Sequence, residues 1–129
     1  MNNSVIIGRD NIELKVVEYS VAKPDAIIIC VHGMAEHQKR YQRLAEFLNE
    51  HNLTTITYDH RGHGESLLNE GLGYLGKKGF NKMVDDLDTI VEEQLTKYPN
   101  KKIFLLGHSM GSFVVQRYIR PMIKFQALF

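Results

Sequence analysis

A single cysteine, Cys30, stands among 129 residues, so no disulfide can close within the chain. It lies in the apolar run 26–31, where a buried packing thiol is a simpler reading than a reactive one. Neither sign of charge dominates: 16 Lys and Arg face 15 Asp and Glu, a formal net charge of +1. That balance gives no footing for nucleic acid or for an anionic surface, and at most peripheral membrane contact is expected. Long apolar runs are lacking too. Val5, Ile6 and Ile7 fall far short of a secretory h-region, and no basic stretch precedes them. A reducing cytoplasm is therefore the expected setting, in which the glycosylation-type triplets at 2–4 and 52–54 carry no meaning. No internal repeat or low-complexity linker occurs. The composition is that of an ordinary globular chain, 43% hydrophobic and 24% charged, with a length that fits one domain.

Strand and helix signals alternate along that length. Val5–Ile7 and 12–19 flank the turn residues Gly8, Arg9, Asp10 and Asn11, which predicts an antiparallel hairpin. Pro24 and Asp25 open a buried strand at 26–31. Tyr41, Leu44, Ala45 and Leu48 mark one face of a helix over 40–51, and a second strand follows at 53–58. Phe80, Met83, Val84, Leu87, Ile90, Val91, Leu95 and Tyr98 recur at helical spacing over 80–98. Asp85, Asp86, Asp88, Glu92 and Glu93 are expected to form its solvated face. Pro99 and Asn100 end that helix, and a strand at 102–106 comes next. Phe113, Val114, Arg117 and Tyr118 then continue a helical face until Pro121 stops it. Such alternation predicts an α/β fold: a mostly parallel sheet with right-handed crossovers, preceded by the antiparallel hairpin.

Chemistry enters where the strand at 102–106 meets the last helix. Gly107, His108, Ser109, Met110 and Gly111 form a Gly-x-Ser-x-Gly set on that strand-to-helix turn. A serine held on such a bend projects its hydroxyl out of the sheet, and the glycines permit the close backbone approach the bend demands. The competing reading is a serine that merely caps a helix beside packing glycines. Acyl transfer at Ser109 would need N–H donors aimed at the developing oxyanion. The backbone N–H of Met110 is one candidate. Val31, His32, Gly33 and Met34 stand at the end of the 26–31 strand, which makes the Met34 N–H the second. His32 is read as a structural histidine pinning that loop by hydrogen bonds.

Tyr58 to Ser66 follows the next strand at its C-terminal end, the side on which open α/β sheets carry their sites. Asp59, His60 and His63 match no zinc spacing, so no metal is assigned. Asp59 and Arg61 are expected to fix the loop through hydrogen bonds and an ion pair. Gly71, Gly73 and Gly76 formally spell a dinucleotide fingerprint, but they follow a long polar loop rather than a strand, and the nucleotide reading is discarded.

Three segments together resemble the α/β-hydrolase family. They are His32, Gly33, Met34, Ala35, Glu36 and His37 with Arg40 and Tyr41; then Asp59 to Ser66; then Gly107 to Gly111. Their order and spacing are most similar to the monoacylglycerol lipase and lysophospholipase branch, which overlaps the serine aminopeptidase-like hydrolases. The resemblance implies Ser109 as nucleophile, an oxyanion hole at Met34 and Met110, and motif-supporting roles for His32, Gly33, Asp59, Arg61, Gly107, His108 and Gly111. It also implies hydrolysis of lipid-like or small carboxylic esters without a cofactor. In that family the acid and histidine of the triad follow the serine, yet no Asp, Glu or His follows Ser109 here. Residues 1–129 are therefore expected to be the N-terminal part of one domain, cut after the nucleophile helix, without lid or C-terminal strands and with little turnover. The alternative is a non-catalytic, partner-binding half of a split hydrolase. An apolar edge at 125–129 is expected to favour self-association.

Overall fold

The computed structural model describes residues 1–33, 38–63 and 79–122. Strand β1 (Asn2–Ile7) pairs antiparallel with β2 (Glu13–Tyr19) across a turn in which the Gly8 N–H donates to Ile12 O at 2.8 Å. Asn11 takes φ 64°, a left-handed conformation that asparagine tolerates well. The predicted hairpin is thus present. Strand β3 (Ala26–Val31) leads through a 3-10 turn (Gln38–Tyr41) to α1 (Gln42–Glu50), and β4 (Leu53–Tyr58) follows. Helix α2 (Gly79–Lys97), β5 (Lys102–Gly107), α3 (Met110–Ile119) and a 3-10 turn (Arg120–Met122) complete the described elements. Pro121 ends α3 as expected, inside that final turn.

The sheet order is β1-β2-β4-β3-β5. β3 runs parallel to both β4 and β5, and β2 is antiparallel to its neighbours β1 and β4. Only β2 opposes the common direction. β3 is buried along almost its whole length, as its β-branched sequence requires for a strand covered on both faces. The chain passes from β3 to β4 in one direction and from β4 back across β3 to β5 in the other. Right-handed crossovers therefore place α1 and α2 on opposite faces. Packing agrees. Leu14, Val16, Ile27, Ile29, Val31, Ile56 and Tyr58 form one core with Met83, Leu87, Ile90 and Val91 of α2 and Val114 of α3. Val17, Tyr19 and Ala45 of α1 form the other.

Two helix faces differ from the periodicity reading. Asp86, expected in the solvated face of α2, is 0% exposed. It lies on the same stripe as Met83, Leu87 and Ile90, and the interior accepts its charge because an arginine meets it there. Phe113 is 62% exposed, since α3 turns Gly111 and Val114 toward the sheet instead. Cys30 is buried, and burial pushes its thiol up to about 12, which leaves it a packing group as expected. The edge at 125–129 and the glycines at 71, 73 and 76 lie outside the described residues.

Candidate active site

β3 and β5 are neighbours in register, with Val31 opposite Gly107, yet their following helices leave on opposite faces of the sheet. A crevice opens at such a switch point, outside the carboxyl ends of the strands. Three loops meet there: His32 and Gly33 after β3, Asp59 to His63 after β4, and His108 and Ser109 after β5.

Ser109 occupies φ 55°, ψ −122° between β5 and α3. A non-glycine residue held at such angles stores on the order of 1–3 kcal/mol, which the surrounding contacts must sustain. A capping serine would instead adopt extended angles, and its hydroxyl would accept from an N–H in the first turn. Ser109 stands at the N-cap position without any side-chain capping bond. Ser112 serves the turn, its Oγ donating to Ser109 O at 2.6 Å while its N–H donates to the same oxygen at 2.9 Å. The Ser109 hydroxyl is thus left at an exposed position, uncommitted to the helix. Met110 is the first residue of α3, where a backbone N–H has no partner within the helix and points out of its end.

The flanking glycines are there for space. A Cβ on Gly107 would lie 2.7 Å from the Ser112 Cα. One on Gly111 would lie 2.6 Å from His32 O and closer still to Val31 O. Neither position admits a side chain, because the obstacles are backbone. The His108 N–H donates to Val31 O at 3.1 Å, so the bend and the end of β3 are joined directly.

His32 makes the bonds expected of a loop-pinning histidine. Its ring is buried, with Nδ1 2.8 Å from Gly33 O, and its Nε2 accepts the His60 N–H at 2.9 Å. An accepting Nε2 requires the proton on Nδ1, which then donates to the Gly33 carbonyl. His60 returns a bond, its Nε2–H reaching His32 O at 2.9 Å. Burial, then the neighbouring His32, holds the His60 imidazole well below its ordinary pKa. Met34, assigned to the second amide, lies outside the described residues.

Asp59 is buried, its N–H donating to Lys15 O at 3.0 Å. Arg61 turns away from the crevice. Its Nε and Nη2 each lie 2.7 Å from the two oxygens of Asp86 on α2, and Nη1 and Nη2 reach Asp10 of the hairpin turn at 2.8 and 3.0 Å. Arg61 thus does fix the loop through ion pairs, but its partners are Asp86 and Asp10, carboxylates of other elements, and not the nearby Asp59 of its own loop. The hydrogen bond from Arg61 draws Asp10 down to about 2, while burial raises Asp86 against the pull of the same arginine. Asp86 and Asp10 lie outside the three motif segments and join the site through Arg61. A signal for Asp86 was present: it falls three residues after Met83 and four before Ile90.

The family model described as serine aminopeptidase, S33, matches residues 22–128. The chain belongs to this α/β-hydrolase family. It falls in the branch of the monoacylglycerol lipases. The chain is 38% identical over 91 residues to human monoglyceride lipase, an alignment spanning 70% of this chain and 29% of that enzyme. A lysophospholipase of Escherichia coli is 30% identical over 110 residues, spanning 83% of this chain and 32% of its own. Among solved structures, a thermostable carboxyl esterase from Bacillus coagulans superposes with a TM-score of 0.82 at 30% identity, over 91% of this chain and 39% of the esterase. This member of the α/β-hydrolase family thus spans about a third of the length of the relatives it matches. Among the described residues, no helix is long and apolar enough to cross a membrane.

Proposed function

We propose that the chain supplies the nucleophile half of a carboxylic-ester hydrolase acting on monoacylglycerol- or lysophospholipid-type substrates. The observation that carries this reading is the Ser109 conformation: φ 55° on an exposed strand-to-helix bend, with a hydroxyl that does no capping. In the reaction, Ser109 Oγ attacks the ester carbonyl. The carbonyl oxygen takes up negative charge facing the N–H groups of Met110 and, in this proposal, Met34. Collapse expels the alcohol and leaves an acyl-enzyme, which water then hydrolyses. Ser109 must lose its proton to a base, and the family's histidine lies beyond the serine, where this sequence has none. The matched relatives, named as monoglyceride lipase and lysophospholipase, support the substrate class. A reducing cytoplasm is the compartment we assign, and no cofactor enters the scheme.

A fluorophosphonate probe tests the proposal. In the protein extended through the acid and histidine, Ser109 becomes covalently labelled and Ser109→Ala abolishes the labelling. The 129-residue chain alone labels at least about 100-fold more slowly, in keeping with the loss of a general base. An extended protein labelled at another residue, or not at all, refutes the assignment. The second reading, a binding half of a split hydrolase, is favoured by β5. Among the described residues that strand hydrogen-bonds to β3 alone, and its Phe104 is 52% exposed. On that reading the chain stays unlabelled until a strand-supplying partner is added.

A further inference from the structure

We propose that Asp86 is a positioning residue for the Ser109 site, acting through Arg61 and the His60–His32 pair. The proposal takes its functional meaning from the hydrolase reading above. The segment after β4 closes a turn in which the His63 N–H donates to His60 O at 3.0 Å. Gly62 takes φ 74° at the third position, a place that favours glycine. Arg61 is the second residue of this turn, and its side chain is only 3% exposed. Two carboxylates grip its guanidinium from different elements, Asp86 from α2 and Asp10 from the hairpin turn. A planar fork held along two edges cannot swivel, so the turn that carries it is fixed in orientation.

The residue beginning that turn is His60, which exchanges two hydrogen bonds with His32. His32 in turn holds the Gly33 carbonyl. On its other side the same segment receives the His108 N–H and lies hard against Gly111. Residues 31–33 are therefore wedged between the turn that Arg61 anchors and the bend that presents Ser109. Each link is a contact with one good geometry, and together they run unbroken from α2 to the nucleophile's neighbour.

Energetics speak against a purely stabilising role for the ion pair. A buried charge pair gains little over apolar side chains of similar volume, because desolvation offsets the Coulombic attraction. α2 could have met the sheet here with another leucine. What the carboxylate adds over a leucine is direction: it fixes the one arginine whose backbone continues into the His60–His32 contact.

The test is NMR on the 15N-labelled chain, comparing wild type with Asp86→Asn and with Asp85→Asn, the latter altering an exposed neighbour that meets Arg9. The expected wild-type signature is one fixed His32 tautomer, with Nδ1 protonated. In Asp86→Asn, folded by circular dichroism, that single tautomer is lost and the His108 amide resonance moves. Asp85→Asn leaves both unchanged. A folded Asp86→Asn chain with unaltered His32 and His108 signals overturns the proposal, as does an equal response to Asp85→Asn. A merely structural Asp86 would lower the melting temperature and leave these native-state signals in place. Should Asp86→Asn fail to fold, Asp10→Asn removes only the outer carboxylate and must shift the same two signals in the same sense; no shift there also overturns it. The readout does not depend on Ser109 reactivity. With the fluorophosphonate applied to the protein extended through the acid and histidine, an unreactive Ser109 beside a responsive His32 refutes the hydrolase reading alone, and a reactive Ser109 beside an indifferent His32 refutes the coupling alone.

Discussion

Replacing Ser109 by glycine and, separately, by alanine divides the strain of its backbone from the work of its hydroxyl. At φ 55°, ψ −122°, any residue with a Cβ is strained by on the order of 1–3 kcal/mol, and glycine is not. Alanine keeps the Cβ and loses only the Oγ, which makes no capping bond, so Ser109→Ala should change stability by less than about 0.5 kcal/mol. Glycine releases the strain but adds freedom to the unfolded chain, a loss of about 0.4–1 kcal/mol. The net expectation is that Ser109→Gly is more stable than Ser109→Ala by about 0.5–2 kcal/mol. For a domain of this size that difference raises the melting temperature by roughly 2–8 °C. Urea unfolding followed by circular dichroism measures it, with slopes compared to confirm that the denatured state is unchanged. Both variants must fail to react with a fluorophosphonate in the extended protein. A glycine variant less stable than the alanine variant would refute the reasoning, for it would mean that the bend is held without strain and that Ser109 carries no sign of a poised nucleophile.

Gly111→Ala drives a Cβ into the backbone of Val31 and His32, and it should cost about 3 kcal/mol or more, because neither obstacle can rotate away. Urea unfolding within about 1 kcal/mol of wild type would sink the close-packing account. Asp86→Leu leaves the buried Arg61 with only its outer partner, Asp10, and should destabilise by about 3 kcal/mol, whereas the double variant Asp86→Leu with Arg61→Met should recover most of that loss. A double-mutant cycle checks this, and purely additive effects would contradict it. Acid sensitivity should begin near neutrality. His60 is held below its ordinary value by burial, so below about pH 6.5 the unfolded chain binds a proton that the folded chain resists, and stability falls as pH falls. The slope of unfolding free energy against pH between about 6.5 and 5 should flatten in His60→Asn. Asp10, drawn down to about 2 by Arg61, adds a second loss only as pH falls from about 4 through that value.

What could be read from the sequence and what could not divides along the reach of the constraint. Pro24 and Asp25 open β3, and the left-handed Asn52, at φ 62°, immediately precedes β4, so the strands at 26–31 and 53–58 fall where local signals put them. The bend at Ser109 was legible for the same reason, since two glycines within two residues of the serine are each demanded by a nearby backbone. α3 departs from its hydrophobic pattern at Phe113 because its buried stripe begins at Gly111 and continues through Val114 and Tyr118. A glycine contributes nothing to a hydrophobic pattern even when it makes the tightest contact of the helix.

Asp86 shows a different limit. Its position matches the apolar stripe while its chemistry matches the acidic face. Only its partner decides between the two, and Arg61 lies 25 residues before it, with Asp10 a further 51 residues toward the N-terminus. No window along the chain joins those three. The physical lesson is that a charge at a core position of an amphipathic helix is a statement about another element, because burial without a partner would cost several kcal/mol. Read in that way, Asp86 would have required a buried cation near the sheet. Of the basic residues in segments that follow strand ends, Arg61 stands one residue before the glycine that turns its loop, and that turn brings its side chain back toward α2.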